Sequence, residues 1–270
     1  MAHVRNLVHR HPFIFTGLVL VALIVGSVVS FAGGMALRGD RAGEALGGFL
    51  ARVLVSGLFL LLILRLHWLT LIGFTKTGRL RSWMLVLATL VYSVFCGNYS
   101  LFGDFDIIFQ PSVLAGLITL KSLSIGLLEE TVFRGIILFT LITHWGRSLR
   151  ALTKSVILSS LLFGSVHLLN IAAGKPPVDT AMQVLNSSLA GIFYAALVLW
   201  VGSIWPAIFF HGMVDAFPNI RILTIQNFQE TLVGTLILGL LQIPLLILGL
   251  YLIANSVNYP RLESRRSGAD

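Results

Sequence analysis

The sequence predicts an all-α, polytopic membrane protein with about eight transmembrane helices around a polar intramembrane cavity. Three observations predict it. The chain of 270 residues is 56% hydrophobic and only 11% charged, whereas about a quarter of the residues in a soluble domain are charged. Its mean hydropathy is +0.91, so a soluble fold would lack the polar residues to cover its core, while acyl chains solvate Leu, Ile, Val and Phe as readily as a core does. Apolar runs near the roughly 20 residues needed to cross the hydrocarbon layer recur along the whole chain.

Taken in order, residues 1–111 hold three predicted spans, at 13–37, 46–66 and 82–98. Residues 112–217 hold four, at 112–143, 155–173, 182–200 and 204–218, and residues 218–270 hold the last, at 231–254, with a basic tail. The fourth run is too long to cross at a shallow tilt and is expected to protrude from the membrane or to break. The first follows a basic stretch with Arg5 and Arg10, and Ala32, Gly33, Gly34 and Ala36 imitate a cleavage site. Its apolar run exceeds the roughly 7–15 residues of a signal sequence, so an uncleaved anchor is expected. No internal repeat or long linker interrupts the chain.

The excess of 19 Lys+Arg over 11 Asp+Glu would suggest nucleic-acid binding in a soluble protein. Here the cations sit in short segments between apolar runs, where they set orientation. With the N-terminus inside, eleven cations fall on cytoplasmic segments (Arg5, Arg10, Lys76, Arg79, Arg81, Arg147, Arg150, Lys154, Arg261, Arg265 and Arg266). Four fall outside (Arg38, Arg41, Lys175 and Arg221), and Arg52, Arg65, Lys121 and Arg134 fall within spans. Both termini are therefore read as cytoplasmic and the protein as integral to the plasma membrane, with the bilayer rather than nucleic acid as its partner. The one cysteine, Cys96, cannot form an intrachain disulfide.

Ionisable groups inside spans are expensive and mark function by default. Arg52, Arg65 and His67 lie near span ends, where their stems can snorkel to the interface; Lys121 is deeper and is left unassigned. The densest cluster is Glu129-Glu130-Thr131-Val132-Phe133-Arg134. Glu130 and Arg134 stand four apart in the order that suits a helical ion pair. Glu129 points about 100° away and has no cation four residues from it, so it is free for another partner; the alternative is one structural network joining both glutamates to Arg134 and Lys121. Phe163 and His167 share one face of the fifth span, and His211 and Asp215 share one face of the seventh. Each of these groups needs a polar partner, and a shared water-filled cavity is the least costly arrangement.

Such a cavity suits hydrolysis by activated water. A partly dry carboxylate is a stronger base than one in water, so Glu129 with His167 can hold a water and take its proton. His211 can donate to the developing oxyanion, with Asp215 orienting or charging it, or donating to the oxyanion itself if protonated. This mechanism requires no cofactor. Zinc on His167, His211 and Glu129 remains open as a ligand set, although the chain lacks His-Glu-x-x-His. Ser165 lacks the flanking glycines of a Gly-x-Ser-Gly nucleophile, and Asp104 lacks the first glycine of a Gly-x-Gly-Asp site.

Glu-Glu-x-x-x-Arg, Phe-x-x-x-His and His-x-x-x-Asp, in that order over residues 112–217, resemble the motifs of the CPBP family. This is the group of CAAX prenyl endopeptidases and bacteriocin-processing or immunity (Abi-type) membrane proteins, which carries a metalloprotease label beside a metal-free glutamate mechanism. The resemblance implies an all-helical intramembrane protease whose conical cavity opens to the cytosol. It implies that Glu129 and His167 activate the water, that His211 and Asp215 form the oxyanion site, and that Glu130, Arg134 and Phe163 support them. The implied substrate is a membrane-tethered peptide, prenylated at a CAAX terminus or carrying a leader. CAAX-processing members typically have Asn where this chain has Asp215, and an ionised aspartate cannot donate a hydrogen bond. Its role then shifts to holding His211. The same motifs could serve a non-catalytic scaffold or self-immunity factor, and an ion-translocating protein would call for inverted repeats, of which none is seen.

Overall fold

A computed structural model describes residues 2–97, 113–224, 239–240 and 242–256. All of the regular secondary structure described is helical. Short α1 (Ala2–Arg10) leads into α2 (Pro12–Ala36), which starts with proline at its first position, where the missing N–H costs nothing. α3 (Arg41–Leu66) runs back, opened by Asp40, whose carboxylate accepts from Gly43 N at 2.7 Å. It stops at His67 in the left-handed conformation (φ 59°). A single turn, α4 (Leu69–Ile72), and α5 (Leu80–Gly97) follow.

The long fourth run is one helical path in three parts: α6 (Val113–Glu130), a π-helical segment Thr131–Ile137, and α7 (Leu138–Trp145). The expected break is thus a change of helical pitch, not a gap. α8 (Leu149–Val166), capped by Ser148 through Ala151 N, turns at His167 into α9 (Leu169–Ala172). α10 (Pro177–Val201) ends at Gly202, α11 (Trp205–Thr224) follows directly, and α12 (Ile243–Ser256) is the last described helix. Residues 98–112, 225–238 and the tail carrying Arg261, Arg265 and Arg266 lie outside the described residues. So does the start of the expected eighth span.

Among the described residues, four helices are long and apolar enough to cross a membrane: Pro12–Ala36, Arg41–Leu66, Leu149–Ala172 and Pro177–Val201. α2 leaves Phe13, Leu18, Val21, Val25, Val28 and Phe31 exposed, a lengthwise face that suits lipid. The span expected at 112–143 is divided by the π segment, those at 82–98 and 231–254 are shorter within the described residues, and α11 is not among the four.

The bundle has two distinct ends. At one, Phe13 packs on His144 and Trp145 with ring centroids 5.7 and 6.1 Å apart. Trp205 Nε1 donates to the Phe74 carbonyl at 2.9 Å, and the Ser203 hydroxyl donates to the Lys76 carbonyl. All five tryptophans (Trp68, Trp83, Trp145, Trp200 and Trp205) belong to elements that start or stop here, as expected of a belt at a membrane–water interface. The opposite end holds the α2–α3 turn and the approach to α10. Lys121 meets Glu44 there at 3.0 Å, so it does not join the Glu129–Glu130–Arg134 cluster.

α6 and α11 lie almost backbone to backbone. A Cβ on Gly126 would stand 2.6 Å from the Ile208 carbonyl and 2.8 Å from Gly212 N, both rigid main-chain atoms. This contact brings the end of α6 against α11. Gly126→Leu is expected to separate the two helices and lower the thermal unfolding midpoint of the detergent-solubilised protein by several degrees, an overpacking cost of about 1–3 kcal/mol. An unchanged midpoint would mean the helices are not held this closely.

Candidate active site

The local sequence explains the π segment. Thr131, Val132, Ile136 and Ile137 are β-branched and Gly135 is a poor helix former, so this stretch has little intrinsic preference for the α repeat. Such wide turns recur at functional sites. Glu129 and Glu130 end α6, and Phe133 and Arg134 lie on the π segment.

Glu130 and Arg134 are wholly buried and meet at 3.0 Å, Nη1 donating to Oε1. The pair expected from spacing therefore forms, but it is one part of a larger network. The same Glu130 oxygen lies 2.8 Å from His211 Nδ1. Arg134 also lies over the Phe163 ring, 4.3 Å from its centroid, and 5.2 Å from that of Tyr194, close enough for cation–π attraction. Gly191 makes room for it: a Cβ there would come within 2.8 Å of Arg134 Nη2.

His211 is the hub. Its ring stacks on Tyr194 at 5.1 Å and meets Phe163 edge-on at 5.7 Å. With Glu130 ionised beside Arg134, Nδ1 is the donor in that bond. Nε2 then faces two further carboxylates, Glu129 Oε2 at 3.7 Å and Asp215 Oδ2 at 3.6 Å. These distances exceed a hydrogen bond, and Glu129 Oε2 is a shielded acceptor with no hydrogen-bond partner among the described residues. Asp215 stands next to the imidazole it was expected to hold.

His167 sits at the α8–α9 turn with its ring edge-on to Phe163 at 5.5 Å. Its Nδ1 lies 3.2 Å from the Gln183 amide nitrogen. Two donors orient that amide: Lys175 Nζ at 3.0 Å and Asn170 Nδ2 at 2.9 Å both reach Gln183 Oε1. An ammonium can only donate, so the atom it meets is the oxygen, and the amide nitrogen donates to Nδ1. Neutral His167 therefore carries its proton on Nε2. Gln183→Leu is expected to release this tautomer and cost roughly one net hydrogen bond of about 1 kcal/mol, or about fivefold in turnover, with the unfolding midpoint little changed. Full activity with an unaltered imidazole ¹⁵N signature would remove Gln183 from the site.

Glu129, Phe133, Phe163 and His167 line one cavity of about 220 Å³, together with Leu23, Ser27, Arg52 and Asn170. Spacing alone missed several of its features. Arg52, expected as an interfacial anchor, borders the cavity; Gln183, Asn170 and Lys175 orient His167; Tyr194 supports His211. Among the described residues, no three His, Cys, Asp or Glu side chains gather at ligating positions, and the Gln183 amide on His167 Nδ1 leaves that ring a proton, not a lone pair, at Nε2.

A half-buried carboxylate and a proton-bearing imidazole thus share one cavity, backed by a buried acid–base network. Residues 110–217 match the family model Rce1-like, Type II CAAX prenyl endopeptidase Rce1-like. This is the family kind that the three motifs resemble. The match spans about two fifths of the chain and includes every motif residue from Glu129 to Asp215. No curated protein and no solved structure matches the chain. The Rce1-like segment carries α6, the π segment and α7 to α10, and most of α11, the helices that supply Glu129, His167 and His211.

Proposed function

We propose that this protein is an intramembrane endopeptidase with about eight crossings and both termini in the cytoplasm, resident in the plasma membrane. In this reading residues 112–217 form the catalytic core, residues 1–111 an N-terminal helical wall, and residues 218–270 the last helix and basic tail. It hydrolyses a peptide bond of a membrane-tethered substrate, of prenylated CAAX or leader-peptide type, without a metal.

Water between Glu129 and His167 attacks the peptide carbonyl. Glu129 takes its proton, while the Nε2–H of His167 keeps the water oxygen in line. The carbonyl π electrons move to oxygen, and a proton on His211 Nε2 hydrogen-bonds that oxyanion. Asp215, beside Nε2, holds His211 in place. Collapse of the intermediate breaks the C–N bond as Glu129 returns its proton to the leaving amine. Glu130 and Arg134 fix the His211 ring, and Phe163 packs against both imidazoles and the guanidinium.

The observation that carries the reading is Glu129 itself, which shares a cavity with His167 and has an oxygen, 3.7 Å from His211 Nε2, without a hydrogen-bond partner among the described residues. The test is cleavage of a panel of prenylated and leader-type peptides by the purified protein. Activity unaffected by chelator, with no stoichiometric zinc, is expected. Loss of activity to a chelator and its return with zinc would overturn the metal-free step.

A further inference from the structure

Charge and exposure are both polarised along the bundle, in opposite senses. Residues 1–12, 67–81 and 144–154 carry Arg5, Arg10, Lys76, Arg79, Arg81, Arg147, Arg150 and Lys154 and not one acidic residue. They belong to the tryptophan-rich end. The opposite end mixes signs, with Arg38, Asp40, Arg41, Glu44, Lys175 and Asp179. By the positive-inside rule the first end is cytoplasmic.

The cavity lies toward the other end. Ser27 is past the middle of α2, Arg52 is in the first half of α3, and Phe163, His167 and Asn170 fall in the last third of the α8–α9 span. A second cavity, of about 270 Å³, shares Ile125 with the first and is lined by Arg41, Glu44, Lys121 and Asn219. It continues toward the mixed-charge surface. Exposure rises in the same direction: the Arg134 side chain is 0% exposed, His211 6%, Asp215 34% and Glu44 50%. On the cytoplasmic side the way is filled. Ile136, Ile137, Leu138 and Leu141 belong to one core with Ile63, Ile72, Leu197 and Ile204, all at most 1% exposed, at interior packing density a barrier to water and peptide alike.

We infer that the site opens to the extracytoplasmic face and takes a membrane-anchored peptide whose scissile bond has already been translocated. This rests on the hydrolase reading and narrows it. A leader-bearing exported peptide fits, whereas a prenylated terminus exposed in the cytosol would meet the packed layer. The family resemblance implied an opening to the cytosol and partly to the bilayer; here the cavity's place nearer the mixed-charge helix ends points the other way.

Single-cysteine labelling tests it. In a Cys96→Ser background, Ser27→Cys and Leu169→Cys report the cavity, Gly39→Cys the α2–α3 turn, and Thr75→Cys the tryptophan-rich end. A sulfonated, membrane-impermeant maleimide is expected to label the first three equally before and after lysis of spheroplasts, and Thr75→Cys only after lysis. Labelling of Thr75→Cys in intact spheroplasts with Gly39→Cys protected would overturn the assignment of the ends. Cavity cysteines reached only after lysis, or at neither stage, would overturn the direction of opening. The readout does not require catalysis. Outward labelling in a protein that never cuts would sink the hydrolase reading alone, and cleavage with inward labelling would sink only the sidedness.

Discussion

Glu129→Gln is expected to lower peptide cleavage by about 10²–10⁴-fold, the range supplied by a positioned general base, while leaving the unfolding midpoint where it was. The two halves of this expectation have separate causes. The amide keeps the volume and planarity of the carboxylate, and Glu129 Oε2 holds no hydrogen bond that the swap would break among the described residues. An amide cannot take a proton from water, so the attacking nucleophile is lost while the cavity stays intact. Cleavage by purified protein, normalised to folded material by size exclusion, measures it. Undiminished turnover would remove Glu129 from the chemistry and restore the scaffold or immunity reading, in which the polar groups serve packing alone.

Arg134→Ala should have the largest effect on stability. It strips the guanidinium from Glu130 Oε1, in a site where neither partner has any exposure, and it empties the space over the Phe163 ring. Breaking a buried pair from one side costs about 3–5 kcal/mol, because the remaining charge is left uncompensated. Lys is no remedy, since a flexible point charge does not reproduce a flat guanidinium against aromatic faces. A double variant, Glu130→Gln with Arg134→Met, should recover part of the lost stability without recovering activity, because no lone buried charge is left. Thermal unfolding in detergent separates the outcomes. If the double variant proved less stable than Arg134→Ala alone, the buried charge would not be the cause.

What the sequence made legible followed short-range rules. Four-residue spacing paired Glu130 with Arg134 and put Phe163 near His167, and both contacts occur. Apolar run length located α2, α3, α8 with α9, and α10 to within a few residues at most of their ends. Spacing could not say that Glu130 Oε1 also receives His211, 81 residues later, because that depends on how far α11 rotates against α6. Gln183 escaped notice for a similar reason: an uncharged amide in a span carries no cost signal until Lys175 and Asn170 fix which of its ends faces the histidine. Arg52 and Lys121 were read by depth alone, whereas their partners come from neighbouring helices. Arg52 turns inward to the cavity and Lys121 outward to Glu44.

The wide turn at Thr131–Ile137 fixes the direction in which Phe133 and Arg134 face. A π segment amounts to an α-helix with one extra residue, so shortening the stretch by a single amino acid would restore the ordinary 3.6-residue repeat. The apolar faces of α6 and α7 would keep their directions and the path would still traverse the bundle. Phe133 and Arg134, however, would each turn by part of the roughly 100° between successive α-helical residues, changing the angle at which they face Phe163 and Tyr194. One codon thus sets how the aromatic and cationic groups of this path are aimed.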